Sequence, residues 1–427
     1  MVPRRALLGM DPRFAIVVAM ALLPASAVAA PSIDELKAQA KKPPKEPDAV
    51  LALGRSLRRA GLFGDAVRVL RSGYAAAKNG DLRLEAARTQ IAAGQHKPAM
   101  AECAGLRKGW RIEHQICEAE AQLLWRRASL ALPAAESALE QAPRDYDALV
   151  AKGRALSQLG EPAPAEAALR SAIEVDPARH EAHRHLGELL GAAGRTKDAL
   201  AELRKARALA PEESEVALAL GEALPTGNEA VTTLEAALAI RPDYPEALSR
   251  LGFVLNEQGQ TARAEQVLRA ALGQKPRDAG SRALLARVLL TKGDADAALR
   301  EARAALAIVK NHAAAKLVEA DALSARGEID PAIEAFEVAG GFAPTDPAPP
   351  VHAARACLLH GRPTTAQAFA TRAATSFPQW APAWEVAGDV ARQLGDVPAA
   401  RAAYTKALAT DGPVNKASIK QRLSALK

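Results

Sequence analysis

An alanine returns at almost the same interval eleven times, at Ala66, Ala99, Ala131, Ala165, Ala199, Ala230, Ala264, Ala298, Ala332, Ala366 and Ala400. Seven of the ten intervals are 34 residues, and the shortest is 31. A fixed period of this size means one small unit stacked many times, because a unit so short cannot bury its apolar face alone. Such a chain carries its function on the surface of the stack. It leaves no room for a separate catalytic domain.

Other columns run in step with the alanine. Twelve residues before it stands a small residue, as in Gly54, Ala87, Gly153, Gly187, Ala286 and Gly388; the offset falls to nine at Gly221. Seven residues after it stands another alanine, from Ala138 to Ala407. Four residues after it comes a larger apolar side chain, as in Leu70, Leu169, Leu203, Leu268, Phe336 and Tyr404. Spacings of three and four are one helical turn, so each unit holds two amphipathic helices. Glycines from Gly61 to Gly395 fall between the two helices, and prolines such as Pro177, Pro211 and Pro378 follow the second. Those residues end one helix and begin the next.

A 34-residue helix–turn–helix with Gly, Ala, Ala and Pro at these offsets resembles the tetratricopeptide repeat. The unit with Trp384, Gly388, Tyr404 and Ala407 around Ala400 fits best. The resemblance implies an all-α, right-handed superhelical solenoid of about eleven repeats over residues 47–414, closed by a cap helix at 415–427. The units are expected near 47–79, 80–111, 112–145, 146–179, 180–213, 214–244, 245–278, 279–312, 313–346, 347–380 and 381–414. Units two and three depart from the pattern, with Gln90 and Gln122 where later units have leucine. The unit from Ser214 to Tyr244 lacks three residues, a loss expected in the turn around Pro225-Thr226-Gly227. In the cap, Ile419, Leu423 and Leu426 form an apolar stripe, with Lys416, Lys420, Arg422 and Lys427 over the rest.

The start of the chain reads differently. Arg4, Arg5 and Arg13 precede the uncharged apolar run Phe14–Leu23, and Ala27-Val28-Ala29 follows. This pattern predicts a signal peptide over 1–29, hence a periplasmic or secreted protein that does not span the membrane once the leader is cleaved. Cleavage removes three Arg and one Asp, lowering the net charge from +7 to +5. That mild excess does not point to nucleic acid. Residues 30–46, with Lys37, Lys41, Lys42 and Lys45 around Pro43-Pro44, read as an extended linker.

The sequence holds no phosphate-binding glycine loop, nucleophile elbow or paired-histidine metalloprotease motif. No enzyme activity, cofactor or metal is therefore expected. His180 and His183 share a helix face, yet Arg184 beside them disfavours a cation. Cys103 and Cys117 lie on neighbouring helices of adjacent units, and either form a disulfide or stay as buried thiols. Trp110 and Trp125 lie among Lys108, Arg111, Arg126 and Arg127, a pairing that suits glycans or, more plainly, fills irregular gaps.

In proteins this chain resembles, the first helices of successive units line a groove that holds peptides or partner helices. The matching positions here include Arg55, Arg88, Arg154, Arg184, Glu188, Phe253, Arg287, Asp321, Arg355 and Asp389. Beside them runs an apolar row with Leu51, Leu84, Val150, Leu218, Leu317 and Val351. Mixed charge next to an apolar row suits a peptide rather than a polyanion. The Lys and Asn that grip a terminal carboxylate in some members are absent from these positions. The expected function is a protein-binding scaffold of the bacterial envelope that helps assemble a secretion, pilus, motility or polysaccharide-export complex. The alternative is a glycan-binding factor in polysaccharide or cell-wall export. Reversing Arg55, Arg88 and Arg154 is expected to weaken capture and leave the stack folded.

Overall fold

A computed structural model describes residues 31–426, so the leader predicted over 1–29 lies outside the described residues. Twenty-four helices make up the described chain, and its one β-pairing is an isolated bridge between Trp380 and Asp411. The described chain divides into two compact bodies, residues 31–138 and 139–426.

The first body holds the pairs Pro47–Arg59 with Phe63–Ala77, Gly80–Ala92 with His96–Leu106, and Arg111–Leu124 with the start of Ala128–Gln141. A further helix precedes them at Ile33–Lys41, so the arm is not the extended linker its Lys and Pro content suggested. The reason is local. Ser32 and Glu35 form a reciprocal capping box, and Leu36 and Ala40 are buried against Val50, Leu53 and Leu57. Arg68 donates to the Ala40 carbonyl at 3.0 Å and ties down the end of this helix. The first repeat therefore has a cap over its outer face, which an array of stacked units requires.

The second body stacks eight pairs, from Tyr146–Leu159 with Pro162–Val175 to Ala381–Gln393 with Val397–Ala409, and ends in Lys416–Ser424. Ile419 is fully buried there, with Leu423 and Leu426 packed beside it. Arg422 does not lie over the outside of the cap as its charge suggested. It turns inward to Glu385 and to both oxygens of Asp389.

Within a unit, the large residue of the second helix sits directly on the small residue of the first. A Cβ at Gly187 would stand 2.6 Å from Leu203 Cγ, and one at Gly252 would stand 2.5 Å from Leu268 Cγ. Ala199, Ala264 and Ala298 are fully buried. The turn needs a left-handed residue, which Gly194 supplies at φ 75°. In the third unit Arg126 holds that place at φ 54°, with the strain a side chain brings there.

The three residues missing from the sixth unit come from its first helix rather than from the turn. Ser214–Ala223 has 10 residues where the neighbouring first helices have 13. Its exposed carbonyls are met by the next unit: the Arg250 guanidinium donates to Gly221, Glu222 and Leu224. A side chain from outside thus satisfies the carbonyls at the end of the shortened helix.

Candidate functional site

The ten predicted groove residues do not form one surface of free charges. Many are spent on contacts between units. In the first body, Arg88 makes a forked pair with Glu120, N–O distances running from 2.9 to 3.2 Å. Arg55 and Arg58 both hold Glu85, a side chain only 3% exposed. Glutamates of the following unit thus occupy two of the arginines meant for a partner. Reversing Arg55 and Arg88 would set carboxylate against buried carboxylate, so the expectation that the stack stays folded does not stand.

In the second body, Arg184 reaches Glu188 at 2.7 Å and Glu215 of the next unit at 3.9 Å. His185 shares Glu188, with Nδ1 2.9 Å from its carboxylate. Burial, aided by the Arg184 and Arg154 charges, pushes His185 down to about 4. Burial alone would raise Glu188, but Arg184 and His185 overcome it and hold that carboxyl below its usual range. This network pairs its charges internally, although the Glu188 side chain is 42% exposed. At the far end, Arg355 pairs with Glu385, and Asp389 is held by Arg422 and the Tyr404 hydroxyl. Asp389 therefore belongs to the cap.

Between these ends the first helices Pro245–Glu257, Ala279–Thr291, Ala313–Ala325 and Ala348–Leu359 open into a trough. Three hollows of about 320, 370 and 230 Å3 follow one another, joined by shared walls at Ser249 and Leu284 and at Asp321 and His352. Small residues make the room: Gly280, Ala283, Ala314 and Ala348 line the middle hollow. Its apolar walls are Leu284, Leu290, Leu317 and Val318. One end is polar, with Glu222, Glu246, Arg250, Lys275 and Asp278. The other ends at Arg355 and the largely exposed Leu359. Four predicted residues, Phe253, Arg287, Asp321 and Arg355, line it, while Arg154, Arg184 and Glu188 lie upstream. Burial raises Glu222 above the usual carboxylate range.

Sequence reasoning missed Arg250, Leu284 and His352. All three stand two residues before the small-residue column, at Gly252, Ala286 and Ala354. On a helix that position lies beside the two that were considered, and the same offset gives Glu85 and His185.

The remaining chemistry is structural. The structure joins Cys103 to Cys117 in a disulfide, and Cys357 is buried and free. His183 meets Glu202 at 2.6 Å, whereas His180 lies 3.7 Å from Glu181, so the two histidines turn to different carboxylates. Among the described residues no cluster of three His, Cys, Asp or Glu side chains is placed to hold a metal ion. Among the described residues no helix is long and apolar enough to cross a membrane. Trp110 packs edge-on to Tyr74 and against Gly80, and Trp125 stacks on His96 and lies under Arg127. Lys406 lies over Trp384, whose indole N–H donates to the Pro378 carbonyl.

Comparison with known proteins agrees with this architecture. Models of the tetratricopeptide repeat match residues 150–214, 284–347 and 353–415, and a further one matches 227–288. Residues 31–149, with the two buried glutamines, fall outside the matches. No curated protein matches the chain. Among solved structures, it is similar to a tetratricopeptide repeat protein from Parabacteroides merdae (18% identity, 65% of this chain and 97% of that one, TM-score 0.43). It is also similar to a thermophilic repeat protein of Thermus thermophilus (24% identity, 42% and 98%, TM-score 0.37) and to yeast Tom70 (14% identity, 92% and 93%, TM-score 0.42). With the family models covering more than half of its length and the helix pairs in register, the chain belongs to the tetratricopeptide repeat proteins.

Proposed function

We propose that this protein is a non-catalytic scaffold of the bacterial cell envelope. It holds partner proteins by extended or helical segments laid along the first-helix trough, and so helps assemble a larger complex of the secretion, pilus, motility or polysaccharide-export kind. The observation that carries this reading is the open trough from Glu222 to Leu359, apolar in the middle and charged at its ends. A long open channel with alternating wall chemistry suits a polypeptide, whereas small ligands are enclosed on most sides. Charges of both signs along it disfavour a polyanion. The envelope assignment draws on the leader-like residues 1–29 and on a disulfide suited to an oxidising compartment.

The test is in-cell photo-crosslinking of the tagged full chain in its native host, with the crosslinker at Leu317 in the trough or at Arg204 on an outward helix. Capture of components of one envelope machine from Leu317 and not from Arg204 supports the reading. Equal capture from both, or a chain held in the cytosol with residues 1–29 attached, refutes it. Sugar polymer retained by the purified chain in place of protein would favour the glycan-binding alternative.

A further inference from the structure

Ion pairs link several successive first helices, and Arg287 lies in a stretch of the trough, from Pro245 to Ala325, where none joins one first helix to the next among the described residues. Arg355 reaches Glu385, and Asp321 accepts from His352 at 2.9 Å. Arg287 stands in the same column one unit before Asp321, which faces His352 instead. Its guanidinium lies 5.9 Å from the centre of the Phe253 ring, and no carboxylate is in ion-pairing range of it among the described residues. Arginine presents five donors in a fixed fork that matches a carboxylate. Beside this fork are the apolar walls Leu284, Leu290 and Leu317.

We propose that the trough takes an extended segment of a partner protein in which a side-chain carboxylate is flanked by apolar residues. The carboxylate seats on Arg287, and an apolar neighbour seats among Leu284, Leu290 and Leu317. This rests on the reading of the trough as a polypeptide-binding surface. Three features select the occupant. The trough continues past Arg287 in both directions, so a passing chain fills it and a chain terminus would leave half of it empty. At its polar end Glu222, Glu246 and Asp278 stand with Arg250 and Lys275, and Lys275 is paired to Glu246, so no run of free cations is offered to a polyanion. The apolar middle limits the occupant to an isolated acidic residue rather than an acidic run. Neighbouring helices stand about 8–10 Å apart, so a segment crossing all four is about nine residues long when extended.

The test is selection from a random library of segments about nine residues long, embedded between Gly-Ser linkers so that no terminus is presented. It is run on the full chain, on Arg287→Gln and on Ala314→Trp, which fills the trough from an exposed position. On the parent chain we expect enrichment of an acidic residue flanked by apolar ones. Replacing that residue by its amide weakens binding about tenfold to a hundredfold. On Arg287→Gln the acidic preference disappears while the apolar preference stays, and Arg287→Lys restores part of it. Enrichment without an acidic position, or with one that Arg287→Gln leaves unchanged, overturns the proposal and keeps the trough as a peptide site. Absence of any enrichment, or enrichment that Ala314→Trp does not reduce, overturns both.

Discussion

The Arg88–Glu120 pair offers the sharpest test of how the units are held together. Arg88 lies on Gly80–Ala92 and Glu120 on Arg111–Leu124, the first helices of adjacent units. Their side chains are 21% and 13% exposed. Stranding one member of a fully buried pair costs about 3–5 kcal/mol; with part of each group in water, about 2–3 kcal/mol is expected for Arg88→Met. Arg88→Glu adds repulsion. Two like charges about 4 Å apart at an effective dielectric of about 20 repel by about 4 kcal/mol, an upper bound because the carboxylates can turn away or take up a proton. In a stack held by nearest-neighbour contacts the damage is local. Hydrogen exchange should therefore speed up in Gly80–Ala92 and Arg111–Leu124 and stay unchanged beyond residue 180, and the urea midpoint of the first transition should fall. The swap Arg88→Glu with Glu120→Arg should recover about 2 kcal/mol or more in a double-mutant cycle. If Arg88→Glu unfolds at the parent midpoint, or the swap recovers nothing, the pair does not hold the units together.

Further predictions concern other parts of the stack. Thiol titration of unreduced, unfolded protein should find one free thiol, that of Cys357, and reduction of the 14-residue Cys103–Cys117 closure should cost about 3 kcal/mol; three thiols without reductant would refute the disulfide. Arg126→Gly should raise stability by about 0.5–1 kcal/mol by relieving the left-handed turn, measured as a shift in urea midpoint, whereas a fall would show that Arg126 contacts outweigh the strain. His185 titrates near 4 when folded against an ordinary 6.5, so on acidification the unfolded chain takes up the proton first. Stability present above pH 6.5 should decline by up to about 3 kcal/mol as pH falls from about 6.5 to 4, and His185→Gln should flatten that slope in melts taken across the range. Ala199→Leu should overpack a fully buried site by about 1–3 kcal/mol; a melting curve equal to the parent's would refute the placement of the alanine column.

The helix pairs were legible because their signal is repetition. Ala199, Gly187 and Leu203 recur in register, and each meets the contact its spacing implies. The N-terminal helix was hidden because Lys37, Lys41 and Pro43-Pro44 dominate its composition, although Ser32 and Glu35 already carried a capping signature. The groove was half legible. Helical offset put Phe253, Arg287, Asp321 and Arg355 on the right face, since offset depends only on local geometry. Whether a charge on that face is free depends on a residue about 30 positions away. Glu85 neutralises Arg55 and Glu120 neutralises Arg88, while Asp321, one unit after Arg287, is held by His352. Gln90 and Gln122 are a further case: they are buried, with side-chain carbonyl oxygens that find no hydrogen-bond partner, which marks where the repeat pattern and the core disagree.

The pairs between successive first helices also favour one order of the units they join. A repeat array built from one template invites slippage and exchange, since any unit fits any neighbour. Here Arg88 suits a follower carrying Glu120, and Arg355 suits one carrying Glu385. Asp389 suits only a cationic follower, which the terminal helix provides as Arg422. Removing one unit from the array, or transposing two, would set mismatched charges face to face in partly buried places. Where these pairs fall, the charges give a unit an address, and the order of those units is as constrained as their fold.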